Sequence, residues 1–154
     1  MTPFIAEIIG TFLLLLLGCG VVANVILQGT KGHNSGWIAI TTGWALAVFI
    51  AVFVSAPYSG AHINPAVTIG LAAAGEFPWA DAPSYVLAQM IGAMLGAFFV
   101  YLAYRDHFNA TEDQGTILAT FSTHPAKRNF PWNFITEAIG TFVLVFAVLY
   151  MTDA

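Results

Sequence analysis

Four long hydrophobic segments, separated by polar loops, dominate this chain of 154 residues. They cover roughly residues 3–27, 37–56, 82–104 and 133–154. An α-helix rises about 1.5 Å per residue, so about 20 apolar residues cross the ~30 Å hydrocarbon core of a bilayer. The pattern therefore predicts an all-α membrane protein with four spanning helices.

A fifth hydrophobic segment is too short to span a membrane. Residues 65–74 follow a polar stretch at 59–64, and Gly75 comes directly after them. A short apolar helix straight after a spanning segment is typical of a re-entrant half-helix. Because Pro57 disfavours a helical conformation in the residue before it, we expect the second spanning helix to end near Ala56.

The start of the fourth segment repeats the start of the first. Residues 4–12 (FIAEIIGTF) and 134–142 (FITEAIGTF) are identical at seven of nine positions. Three spans lie between the two repeat origins, so the second copy has the opposite orientation, as in many transporters and channels. We divide the chain into a first repeat (1–105, with the half-helix at 64–74), a connecting loop (106–132) and the first helix of a second repeat (133–154). We expect the chain to be truncated after that helix.

Composition supports the membrane assignment and excludes several functions. The chain is 58% hydrophobic and only 8% charged, whereas a soluble domain carries about 25% charged residues. The net charge of −4, with no basic patch, argues against a nucleic-acid partner. Cys19 is the sole cysteine, a packing residue or a redox thiol, and it excludes an intrachain disulfide. No metal-ligand or Ser–His spacing lies within the spans, so we expect no metal, no cofactor and no enzyme.

Small residues mark two helix faces that we expect to meet protein rather than lipid. In the third segment, Gly92 and Gly96 form a GxxxG pair, which indicates a close helix–helix contact. In the first segment, one small and polar face is formed by Glu7, Gly10, Thr11, Leu14 and Gly18.

The polar stretch before the half-helix has the chemistry of a solute path. Non-helical backbone at membrane depth persists only where it lines a wet cavity or is buried in protein, and carbonyls there are available as acceptors. Asn64 is expected to cap the half-helix, with Pro65 at its first position. The Asn64 oxygen would bind backbone N–H, leaving its NH₂ as a donor beside the positive helix end. The alternative is an ordinary helix cap in a loop.

Two glutamates and a histidine are further candidates for functional residues. Glu7 and Glu137 lie at matching places of the repeat, inside apolar helices. A carboxylate there must be paired or hydrogen-bonded, either as a proton or ion site or as an acceptor for N–H groups of its own re-entrant loop. His62 is a pH sensor or ligand, or it packs behind the loop and contributes its carbonyl.

The sequence SGAHINPAVT at 59–68 resembles the first signature of the major intrinsic proteins, the aquaporins and glycerol facilitators. AEIIGT at 6–11 and FSTHP at 121–125 support the resemblance, which covers essentially the whole chain. It implies an aquaporin-like inverted repeat of six spanning helices and two half-helices, assembled as a homotetramer with one pore per subunit. It also implies roles for individual residues: Asn64 as the first pore asparagine, the half-helix start at Pro65 and Ala66, loop-bracing carboxylates at Glu7 and Glu137, and a carbonyl ladder at Gly60, Ala61, His62 and Ile63.

Trp44 carries the substrate prediction. The glycerol-conducting branch of the family resembles this sequence in having Trp at this place, while water-selective members usually have Phe. An indole offers an apolar wall to a carbon backbone, and Val48, one turn further, is expected to extend that wall. Trp44 as an interfacial or packing aromatic is the alternative. The family's second Asn-Pro-Ala motif and the filter arginine after it do not occur within residues 1–154.

We therefore expect a multi-pass protein of the cell membrane that conducts glycerol, other small neutral solutes and water passively. A water-selective aquaporin is the alternative within the fold. A proton-coupled transporter using Glu7 and Glu137, and a non-conducting membrane scaffold, are the alternatives from other classes.

Overall fold

A computed structural model describes residues 1–151 of the chain. These residues form helices and no β-strand, so the predicted all-α fold is confirmed. The helices are α1 (Pro3–Ile26), α2 (Trp37–Ser59), α3 (Pro65–Ala74), α4 (Ala82–Ala103), α5 (Arg105–Ala110), α6 (Gln114–Ala119) and α7 (Phe130–Met151). Helices α1, α2, α4 and α7 are 22 to 24 residues long and apolar enough to cross a membrane. The protein is a multi-pass integral membrane protein.

Helix α1 lies between α2 and α4 and packs against both. The Thr2 hydroxyl caps it by accepting a hydrogen bond from the Ile5 N–H at 3.4 Å, and Pro3 takes the first helical position. The face predicted to meet protein is buried at four of its five positions, Glu7, Gly10, Thr11 and Gly18. Small residues on this face let the neighbouring helices approach closely.

Two glycines of α4 bring its backbone against that of α1. A Cβ atom added to Gly92 would clash with the carbonyl oxygen of Ile8. One added to Gly96 would lie 2.8 Å from the carbonyl oxygen of Phe12. The close helix contact predicted from the GxxxG pair is therefore confirmed.

Helix α2 does not end at Ala56, so that prediction was wrong. It continues through Pro57 to Ser59, and Gly60 then takes the left-handed conformation with φ of 79°. The Gly60 N–H still donates to the Ala56 carbonyl at 3.1 Å. The Ser59 carbonyl accepts a hydrogen bond from the Tyr85 hydroxyl of α4 at 3.0 Å. This contact with α4 holds the last turn in place and offsets the hydrogen bond that Pro57 cannot donate.

The segment predicted as a plain loop over 106–132 contains α6 and most of α5. Phe108 of α5 is buried with Leu27 and Val100. The Thr111 hydroxyl accepts from the Gln28 N–H at 3.0 Å and so ties α5 to the loop after α1. Helices of six residues are unstable alone, and this one is held by tertiary contacts that the local sequence does not reveal.

Helix α7 has a different environment from its repeat partner α1. It packs on α3, where a Cβ atom added to Gly70 would lie 2.5 Å from Cγ1 of Val145. No described residue of α7 is buried. The same local sequence therefore forms a buried central helix in α1 and a peripheral one in α7.

Candidate functional site: a clamped loop between two helices

Residues 60–64 connect the end of α2 to the start of α3 without forming a helix. Gly60, Ala61 and Ile63 all have positive φ angles, of 79°, 54° and 43°. A positive φ is unusual for alanine and rare for a β-branched residue such as isoleucine. Such a conformation costs about 1–3 kcal/mol per residue and persists only where surrounding contacts enforce it. The loop must therefore be held from outside.

Glu7 of α1 is the main contact that holds the loop. Its Oε1 accepts hydrogen bonds from the Ser59 hydroxyl at 2.6 Å and the His62 N–H at 3.0 Å. Its Oε2 accepts from the Ile63 N–H at 2.7 Å and from the Gln89 side-chain amide at 2.8 Å. Both carboxylate oxygens are thus saturated by four donors, although the residue is fully buried.

A second set of polar contacts, made by side chains of α4, α3 and α2, supports this arrangement. The Gln89 amide nitrogen donates to the Thr68 hydroxyl at 2.9 Å as well as to Glu7. The Ser59 hydroxyl also accepts from the Ala61 N–H at 3.1 Å. Consecutive N–H groups of the loop, at residues 61, 62 and 63, are therefore all bound by side chains.

The carbonyl groups of the loop differ from its N–H groups in their hydrogen bonding. Within the described residues, the carbonyl oxygens of residues 60–63 accept no hydrogen bond. Because every N–H of residues 61–63 is bound and every carbonyl from Gly60 to Ile63 is unpaired, the loop offers a run of acceptors. Unpaired carbonyls at membrane depth require a polar partner, such as a solute or water.

His62 is buried behind the loop. Its ring packs against Phe77 and Tyr85, with ring centroids 4.6 and 4.7 Å away. Its Nδ1 lies 3.1 Å from the Thr68 hydroxyl. This position fits the interpretation of His62 as a packing residue better than that of an accessible ligand. Among the described residues, no group of three or more His, Cys, Asp or Glu side chains is placed to hold a metal.

Asn64 lies at the junction of the loop and α3. Its Oδ1 accepts a hydrogen bond from the Ala66 N–H at 2.8 Å, and Pro65 takes the first helical position. The Asn64 carbonyl accepts from the Thr68 N–H at 3.1 Å. The side-chain amide nitrogen has no hydrogen-bond partner in the part of the chain that is described, so it is available as a donor.

Trp44 lines a cavity of about 1190 Å³, and residues 59–64 are not among the residues that line it. Its indole packs on Gly18 of α1, where an added Cβ atom would lie 2.5 Å from the ring. The cavity walls come from α1, α2, the loop after α1 and the segment around α6. Val48 is not among the residues that line the cavity, and its side chain is exposed.

Glu137 is separated from all of these residues. It lies on the exposed α7, beside a smaller cavity of about 480 Å³, and its carboxylate makes no hydrogen bond to the described residues. Thus the structure joins Glu7 to residues 59–64, places Trp44 in a separate cavity, and leaves Val48 and Glu137 outside both.

Sequence reasoning missed several residues of the site. Tyr85 and Thr68 were not singled out, and Gln89 was noted only for its side of the helix. Gln89 carried a usable signal, because an amide in the middle of an apolar span needs a buried partner. Thr41 shares the cavity with Trp44 from one turn earlier on α2. The other polar groups of this cavity are distant in sequence and had no local signal; they are Gln28, His33, Asn34, Thr116, Thr123 and His124.

Comparisons with known proteins agree with this architecture. The sequence profile of the family described as MIP, major intrinsic protein, matches residues 1–154. The probable glycerol uptake facilitator protein of Thermotoga maritima is 55% identical over 149 residues, which is 97% of this chain and 64% of that protein. The glycerol uptake facilitator protein of Streptococcus pneumoniae is 53% identical over 96% of this chain and 63% of its own length. The chain thus spans less than two thirds of the length of these curated relatives.

A solved structure is also similar. The X-ray structure of the aquaglyceroporin from Plasmodium falciparum superimposes with a TM-score of 0.66 at 41% sequence identity. The match covers 73% of this chain and 46% of that one.

Proposed function

This chain belongs to the major intrinsic protein family, and from that premise we propose that it forms part of a passive transmembrane channel for glycerol and similar small neutral solutes, with water. The relatives named above as glycerol uptake facilitators favour glycerol over water alone. A channel needs no cofactor and no chemical step, so we also propose that the protein is not an enzyme.

The observation that carries the proposal is the division of hydrogen-bonding groups along residues 60–63. The N–H groups of His62 and Ile63 are bound by Glu7, whereas the carbonyl oxygens of residues 60–63 are unpaired among the described residues. A hydroxylic solute that leaves bulk water needs acceptors for its O–H groups. The unpaired carbonyls supply such acceptors in sequence along the chain.

Asn64 extends this path with a donor. Its amide nitrogen is free, and the N-terminus of α3 beside it carries a partial positive charge. A hydroxyl group both donates and accepts, so carbonyls followed by an amide match a polyol or a water molecule. The positive helix end opposes cations and protons.

Trp44 supplies the apolar side of the path. Glycerol has one face of C–H groups and several hydroxyls, and an indole beside polar groups suits both. We propose that Trp44 is the wall that contacts the carbon backbone and that Val48 extends it, although Val48 is exposed within the described chain.

The assembly and the division into repeats are part of the same proposal. We propose a homotetramer in the lipid bilayer, a first repeat over residues 1–105, and a second repeat that begins at 133. Glu137 then braces the loop of that second repeat, as Glu7 holds the loop of the first.

The four donors on Glu7 argue against a proton-coupled transporter. A carboxylate that cycles its proton needs access to a proton path, and both oxygens of Glu7 are occupied by the loop and by Gln89. Glu7 is therefore better suited to a structural role.

Stopped-flow light scattering of proteoliposomes that contain the channel of which this chain forms part tests the proposal. We expect glycerol and water to equilibrate faster than in protein-free vesicles, with no dependence on a proton gradient. Water flux without glycerol flux would overturn the substrate assignment. Uphill glycerol uptake that follows an imposed proton gradient would establish the transporter instead.

A further inference from the structure

Ile63 is the most strained residue of the loop, and two contacts from α1 hold it. Its φ of 43° is unfavourable for a β-branched side chain. Its N–H donates to Glu7 Oε2 at 2.7 Å. Its side chain enters a notch formed by Gly10 of α1 and Ser55 of α2, and it is buried there.

The notch exists only because residue 10 is a glycine. A Cβ atom added to Gly10 would lie 2.7 Å from Cγ2 of Ile63, 2.7 Å from the Ser55 hydroxyl and 3.0 Å from Ser55 Cβ. Contacts below 3.0 Å are not tolerated, so a methyl group here must displace Ile63, Ser55 or the helices themselves. Ser55 is fully buried and donates to the Ala51 carbonyl at 2.7 Å, which restricts its movement.

The requirement for glycine at position 10 comes from the tertiary contact and not from the local sequence. The repeat places Gly140 in α7 in the same Ile-Gly-Thr context. An added Cβ on Gly140 would meet no described atom within 4 Å. Gly10 is therefore distinguished from its repeat partner by what packs on it.

We propose that Gly10 is a specificity-determining residue that acts by positioning Ile63, and this rests on the channel function proposed above. Glu7 fixes the Ile63 N–H and the notch fixes its side chain, so together they set the direction of the Ile63 carbonyl. Asn64 follows directly, so the position of its amide depends on the same anchor. A side chain at position 10 moves these groups without touching the solute.

Amide hydrogen exchange of residues 61–63, in the detergent-purified chain, tests the positioning directly. Gly10→Ala is expected to accelerate exchange of these amides by about tenfold, because overpacking loosens the contacts that protect them. Two matched controls lie on the same helix. Gly20→Ala meets no atom within 4 Å, while Gly18→Ala clashes with Trp44 at the same α1–α2 interface but two turns away. Both are expected to leave loop exchange within about twofold of the unmodified chain.

Variants of Ile63 test the same contact from the loop side. They replace Gly10→Ala in the experiment if that variant does not fold. Ile63→Val keeps the γ-carbon that contacts Gly10, so its amides at residues 61–63 should exchange at the rate of the unmodified chain. Ile63→Ala empties the notch, so the same amides should exchange faster. We expect this even though alanine tolerates a positive φ better than isoleucine. In the Ile63→Ala background, Gly10→Ala should accelerate loop exchange less than it does alone, because one of the two side chains that an added methyl group meets is gone.

The flux measurement separates failure of this proposal from failure of the channel function. In proteoliposomes, Gly10→Ala should change the ratio of glycerol to water permeability by at least about twofold, whereas Gly20→Ala should not. Absence of any flux through the unmodified channel of which this chain forms part would overturn the channel function, and the exchange data would still decide the role of Gly10 in positioning. Loop exchange in Gly10→Ala equal to that in Gly20→Ala, or equal acceleration in Gly18→Ala, would overturn the positioning role.

Discussion

At the scale of single residues, the site divides into groups that hold the loop and groups that we propose to face a solute. Glu7 binds the loop, Tyr85 binds its flanking turn, and Gln89 binds the Glu7 carboxylate; all three are buried. Asn64 and Trp44 are partly exposed and have unused binding capacity. Substitutions in the first group should therefore affect folding, while substitutions in the second should affect conduction.

Trp44→Phe tests the proposed apolar wall. The smaller ring leaves space beside the carbon backbone of glycerol, so we expect the ratio of glycerol to water permeability to fall by at least about twofold. Stopped-flow light scattering of proteoliposomes measures both rates. Trp79→Phe is the matched control, because Trp79 is 59% exposed and lies outside the cavity that Trp44 lines. An unchanged ratio in Trp44→Phe would contradict the filter role.

Asn64 caps α3 and is proposed to donate to the solute, and different substitutions separate these two functions. Asn64→Asp keeps the oxygen that caps α3, so we expect a thermal midpoint close to that of the unmodified chain. It also replaces the amide donor with an acceptor, which should lower glycerol flux by about tenfold. Asn64→Ala removes the cap as well and should cost about 1 kcal/mol of stability in addition. If Asn64→Asp conducted normally, the amide would have no part in the path.

At the scale of helices, the crossing of α1 and α4 depends on the absence of side chains. Gly92→Leu would drive a side chain into the backbone of α1 and should destabilise the fold by about 3 kcal/mol. Gly20→Leu is the control on α1, where an added Cβ meets no atom within 4 Å, and we expect a change of at most about 0.5 kcal/mol. Fluorescence-detected size exclusion with heating reports both effects. Equal midpoints for the two variants would contradict the close crossing.

The helices also show which elements the sequence pattern predicts and which it misses. Length and hydrophobicity predicted the four long helices, because burial of backbone polar groups in a bilayer leaves few alternatives to a helix. The Asn64-Pro65 pair predicted the start of α3 because its capping is local. The end of α2 was predicted too early, since the hydrogen bond from Tyr85 to Ser59 joins residues 26 positions apart. Helix α5 was missed for the same reason, since Thr111 at its end accepts from the distant Gln28 N–H. Helix α6 begins at a local cap, because the Asp113 carboxylate accepts from the Thr116 N–H at 2.7 Å, and that signal was overlooked.

At the scale of the whole molecule, α1 and α7 share a sequence but not an environment. Phe12 packs edge-on against Phe99 of α4, with ring centroids 5.6 Å apart. Phe142, its repeat equivalent, is 65% exposed in the described chain. Phe12→Ala should therefore lower the free energy of unfolding by about 2 kcal/mol. Phe142→Ala should change it by at most about 0.5 kcal/mol, as measured by chemical unfolding in mild detergent. Similar losses in the two variants would show that α7 is as tightly packed as α1.

The sequence by itself determined the membrane class, the number of long helices, the inverted repeat and the half-helix with its cap. Each of these follows from periodicity, composition or contacts within a few residues. Only the tertiary structure decided that Glu7, Gln89, Ser59 and Thr68 form one network and that Ile63 packs against Gly10. It also decided that Trp44 lies at a cavity that α1, the loop after it and the segment around α6 complete. These contacts join residues separated by tens of positions, and the directions of their hydrogen bonds depend on how three helices cross. The polar stretch at 59–64 predicted a site from the sequence. The loop conformation in which the carbonyls of residues 60–63 are unpaired among the described residues is held by a carboxylate more than fifty residues earlier.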